Sequence, residues 1–88
     1  MKILSALTRT LDLVESSHAS AWAGGRVEQI AAELRASIAA LESGTFVDRD
    51  GLRGLFAPTG PLQETSIDNG WGDEFLSLAQ RVDAFLAD

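Results

Sequence analysis

His18 stands among three hydroxyls, Ser16, Ser17 and Ser20. A histidine aimed at a serine and held by a carboxylate is the arrangement of nucleophilic acyl transfer. These hydroxyls, however, are sequence neighbours in a segment that reads as a connection, so a solvent-exposed loop histidine is the simpler account. It is the one histidine of a chain without cysteine. A zinc site is therefore short of donors, and thiolate nucleophiles, disulfides and iron–sulfur ligation are excluded outright.

Two acidic groups invite a cation reading. Asp48-Arg49-Asp50-Gly51 resembles the start of a calcium loop, but counting from Asp48 places Leu52 at the fifth position and Thr59 at the twelfth. Those positions need an oxygen donor and a bidentate glutamate, so a helix cap at Asp48 or Asp50 explains the run better. Asp68, Asp73 and Glu74 cluster around Asn69 and Gly70, a grouping of the kind that holds a hard cation or shares a proton. Acids in the first turn of a helix complement its dipole, which accounts for them without a ligand. They also oppose phosphate at that helix start, and Gly70-Trp71-Gly72 lacks the spacing of a phosphate-cradling loop. No catalytic residue, metal ligand or cofactor is assigned, and the chain reads as a non-enzyme.

Trp71 is either a core residue at the end of the last helix or an exposed anchor of the kind enriched at binding hot spots. Trp22 poses the same choice at an earlier connection.

Charge narrows the partner. The 88 residues carry a net charge of −6, and residues 1–41 balance to zero, so all of the excess lies in residues 42–88. Such a field disfavours nucleic acid and anionic membranes and speeds encounter with a basic partner; an acidic surface also keeps a small protein soluble. No apolar run approaches the roughly 20 residues that span a bilayer. Lys2, Arg9 and Asp12 are spread through the first segment, unlike a secretory signal. These features predict a cytoplasmic protein.

The positioning elements follow from apolar spacing. Ile3, Leu4, Leu7, Leu11 and Val14 share one face of a helix over about Lys2 to Ser16. Ser20 is a candidate cap for a short start at Trp22, which Gly24-Gly25 weakens. Val27, Ile30, Ala31, Leu34, Ile38 and Leu41 form a second stripe, with Gly44 placed to end it in the left-handed conformation. A short third helix carries Leu52, Leu55 and Phe56 and is stopped by Pro58, after which Ala57-Pro58-Thr59-Gly60 suits a tight turn. Thr59 to Ile67 reads as a polar connector. Asp68 or Asn69 then caps a final helix whose stripe is Trp71, Phe75, Leu78, Val82 and Phe85, joined by Leu76, Ala79 and Leu86. Thr45-Phe46-Val47 is the one β-like run, and it is too short to nucleate a sheet. The expectation is an all-α fold, one domain over residues 1–88, built as a small antiparallel bundle of three main helices plus one short helix.

In its build this small, acidic, cysteine-free helical chain resembles the immunity proteins that neutralise antibacterial toxins, including the helical colicin-immunity class. The likeness lies in size, charge and helical pattern, and no family residue is carried over. It implies a mechanism of occlusion, in which carboxylates around an aromatic anchor cover a basic toxin surface. On this chain that face comprises Asp48, Asp50, Glu64, Asp68, Asn69, Trp71, Asp73 and Glu74, with a basic protein as partner. The alternative is a structural or regulatory module that self-associates as a homodimer through surplus apolar stripe.

Overall fold

The computed structural model describes residues 2–17, 26–58 and 60–87. His18, Ser20, Trp22, Gly24-Gly25 and Thr59 lie outside the described residues. The described residues form five helices and no strand: α1 (Lys2–Glu15), α2 (Arg26–Ser43), α3 (Arg49–Leu55), α4 (Pro61–Asp68) and α5 (Gly72–Ala87). A Cα radius of gyration of 12.0 Å equals the roughly 12 Å of a compact chain this long.

Each long helix buries the centre of its expected stripe, while Leu4, Leu11, Val27, Ile38, Leu41 and Phe85 are only partly buried, and α1 adds Ala6 and Thr10, which its apolar spacing did not include. α1 turns Ile3, Ala6, Leu7, Thr10 and Val14 inward, α2 contributes Ile30, Ala31 and Leu34, and α5 contributes Phe75, Leu78 and Val82. α1 packs most extensively on α2 and also against α5, while the short helices lean on α2 and α5. α2 ends as expected. Gly44 takes φ +71°, and Thr45 N–H donates to Ala40 O at 2.9 Å beyond it, the six-to-one bond of a Schellman motif. Asp48 caps α3, its Oδ1 accepting the Gly51 N–H at 2.9 Å. The turn before Pro61 is closed by Gly60 N–H to Ala57 O at 2.9 Å.

Three expectations are corrected. The supposed connector Thr59 to Ile67 is mostly helix α4, with Pro61 in its first turn, where the absent N–H costs nothing. The all-helical fold therefore has a second short helix beyond the one expected. The polarity of α4 conceals its inner face, because Thr65 and Ser66 are fully buried beside Leu62. Their hydroxyls donate back to Pro61 O (2.9 Å) and Gln63 O (2.7 Å) of their own helix, which leaves their carbon atoms to pack.

Asp68-Asn69-Gly70 is accordingly a helix stop and not the start of α5. Asn69 is the C-cap of α4, Gly70 follows at φ +81°, and Trp71 N–H donates to Ser66 O at 2.9 Å. The left-handed backbone at Gly70 turns the chain sharply enough for α5 to begin at Gly72. Finally, Leu76 is off the core stripe, 55% exposed.

Candidate acidic docking site

The proposed face divides when its residues are located. Asp50 pairs with Arg53 of its own helix at 2.9 Å, and Asp48 is the α3 cap. Arg49, between them, lies over the Phe85 ring, 4.7 Å from its centroid. Phe85 is three turns beyond Asp73 on α5, so the α3 acids and the α4–α5 acids are roughly 18 Å apart along that helix. The structure does not bring Asp48 and Asp50 together with Glu64, Asp68 and Asp73.

Within the α4–α5 corner, several expected contact groups are engaged internally. Glu74 forms a two-pronged pair with Arg9 of α1, Nε to Oε2 at 2.6 Å and Nη2 to Oε1 at 3.0 Å. The hydrogen bond from Arg9 holds the Glu74 carboxyl below the ordinary glutamate range, helped by the charges of Arg9 and Arg81 and opposed by desolvation. The same hydrogen bond pushes Arg9 up. Asn69 Nδ2 donates to Thr65 O at 2.9 Å, closing α4.

Trp71 takes the core alternative. It is 8% exposed, meets Phe75 edge-on at 6.5 Å, and donates its indole N–H to Ser17 Oγ at 2.9 Å. Phe75 in turn stacks on Phe56, ring centroids 6.2 Å apart. A ring enclosed in this way joins the α5 start to the end of α1 and offers almost no surface to a partner, so Trp71 is not the exposed anchor of the second alternative.

What the corner does present is different. Glu64, Asp68 and Asp73 are exposed and make no ion pair among the described residues. Near them lie two exposed apolar side chains, Ile67 (63% exposed), which the sequence placed in a polar connector, and Leu76 (55% exposed), which it placed on the core stripe. Ile67 Cγ1 is 3.7 Å from where a Cβ on Gly72 would stand, and Leu76 is one turn beyond Gly72 on the same face of α5. Glu64 and Asp68 flank Ile67 on α4, and Asp73 is three residues before Leu76 on α5. The signal for Ile67 was weak, because an isoleucine inside a polar stretch reads as inward-facing once that stretch is recognised as helix.

Asp68 is also badly placed for its own helix. It is the last residue of α4, where the negative end of the helix dipole repels a carboxylate. The acidic residues do not converge on a cation: among the described residues no three His, Cys, Asp or Glu side chains gather to hold a metal. No helix among them is long and apolar enough to cross a membrane. No protein family, curated protein or solved structure matches the chain.

Proposed function

We propose that the chain is a small acidic docking domain whose α4–α5 corner covers a basic surface on a protein partner, as an immunity protein or antitoxin would. The observation that carries this is the exposed Ile67 and Leu76 pair beside the carboxylates of Glu64, Asp68 and Asp73, which make no ion pair among the described residues. A central apolar contact with a charged rim is the usual anatomy of a specific interface. Asp68 adds support, since it opposes the α4 dipole and makes no ion pair among the described residues. The chain acts by occlusion and performs no reaction; the rim charges speed association and the apolar pair slows release.

This reading takes the long helices as an antiparallel bundle. Ser17 of the α1 end meets Trp71 at the α5 start, and Arg9, two turns earlier in α1, meets Glu74 one turn into α5.

The test is a titration of the isotopically labelled chain with a synthetic amphipathic helix of leucine and lysine, followed by amide shifts. Shifts centred on residues 64–68 and 72–76 are expected, with affinity falling at least about tenfold in an Ile67→Ser, Leu76→Ser double variant. Association that is insensitive to ionic strength, or shifts that avoid the corner, defeats the reading. Self-association through the same pair is the second reading. The net charge of −6 per copy opposes it, and a dimer in sedimentation at high micromolar concentration would favour it.

A further inference from the structure

Phe46 is 97% exposed, in the connection between α2 and α3. A ring so fully hydrated gains nothing from the fold, since it forgoes the stabilisation that burial of an aromatic side chain brings. It borders a groove of about 190 Å³ between the two helices. Ala36 and Ala40 of α2 form one wall, and Leu52 and Leu55 of α3 form the other. The groove is open on one side, so a side chain can enter it from solvent.

The charges at the groove have one sign. Its two ionisable lining residues are Glu33 and Asp48. Glu33 is exposed and has no ion pair among the described residues. Asp48 uses Oδ1 to cap α3, and no hydrogen bond from the described residues occupies its Oδ2. The arginines of α3 do not neutralise the groove. Arg49 is held by the Phe85 ring and the Phe85 carbonyl, and Arg53 by Asp50.

We propose that this groove is a second docking surface, which receives a peptide segment bearing one large aliphatic side chain flanked by lysine or arginine. The aliphatic group enters between Ala36, Ala40 and Leu52 and packs on the Phe46 ring; the flanking cations reach Glu33 and Asp48. A second copy of the chain is a poorer occupant, because it would set two acidic rims against each other and bring together two chains of net charge −6. The proposal rests on the reading of the chain as an acidic docking domain for the sign of its partner's charge, and otherwise uses a different surface.

The experiment titrates the labelled intact chain at low salt with the capped peptide Lys-Arg-Leu-Lys-Arg and with a control in which glycine replaces leucine. The leucine peptide is expected to shift the amides of Ala36, Ala40, Phe46 and Gly51 in a saturable way. A Glu33→Gln, Phe46→Ser variant, altered only at exposed side chains and checked for unchanged helicity, should bind at least about tenfold more weakly. Equal binding of the glycine peptide, no groove shifts, or Phe46 shifts that track protein concentration without peptide each overturn the proposal; the last identifies a second copy as the occupant. The Ile67→Ser, Leu76→Ser variant separates the two surfaces. It should retain the groove shifts in full; if it also binds the amphipathic helix as tightly as the parent, the corner reading fails and the groove proposal stands.

Discussion

The indole N–H of Trp71 donates to the Ser17 hydroxyl at 2.9 Å, and that hydroxyl donates onward to Leu13 O at 2.6 Å. Two hydrogen bonds thus tie the start of α5 to the last turn of α1. Trp71 is able to be a core residue because its one polar atom is satisfied there; a buried indole without a partner bears the desolvation cost of its N–H. Replacing Ser17 with Ala should destabilise the chain by about 1–3 kcal/mol. Urea unfolding in a Trp22→Phe background, where fluorescence reports Trp71 alone, measures it. An unchanged midpoint would show that the bond does not form.

Leu62 tests the inner face of α4. A polar connector would tolerate Leu62→Ala with little loss, whereas a fully buried leucine packed under α2 and α5 should cost about 2–5 kcal/mol. Denaturant midpoints of Leu62→Ala and Glu64→Ala, measured together, separate the cases, since Glu64 is exposed and its removal should change little.

Gly60 is constrained by space. A Cβ there would stand 2.7 Å from Gly54 O, 3.1 Å from Ala57 O and 3.2 Å from Leu55 O. These are backbone atoms of the α3 end and its turn, which cannot swing aside as a side chain can. Gly60→Ala should therefore destabilise by about 1–3 kcal/mol, readable as a fall in Tm.

Asp68 predicts a gain. Because its carboxylate meets the negative end of α4 and pairs with no cation among the described residues, Asp68→Asn should stabilise the fold by about 0.3–1 kcal/mol while weakening binding of the basic probe. A variant that is less stable would mean that the carboxylate has a structural role.

The Arg9–Glu74 pair sets a pH dependence with a definite sign. The folded Glu74 carboxyl titrates below its unfolded value, so between the two the unfolded chain binds more protons and stability rises with pH. The contribution is complete above the ordinary glutamate range and is lost as pH falls through the lowered folded value. Arg9, pushed up from an already high value, adds nothing in that window. Both side chains are substantially exposed, so added salt should shrink the effect. Unfolding of Glu74→Gln should show a flatter acid limb than the parent; identical limbs would exclude the pair as its source.

Periodic apolar spacing carried most of the architecture. The stripes of α1, α2 and α5, the Gly44 stop, the Asp48 cap and the turn closed by Gly60 all follow from local rules, because backbone hydrogen bonding and capping are decided by residues a few positions apart. The absence of cysteine and the concentration of charge in residues 42–88 are likewise properties of the chain. Only tertiary structure could reveal α4, whose buried Thr65 and Ser66 look polar until their hydroxyls are seen bonded to their own helix. It also decided that Trp71 faces inward while Ile67, Leu76 and Phe46 face out, and that Glu74 is joined to Arg9 while Glu64, Asp68 and Asp73 are not. The physical reason is that exposure and ion pairing depend on neighbours distant in sequence: Arg9 stands 65 positions before Glu74, and Ser17 stands 54 before Trp71.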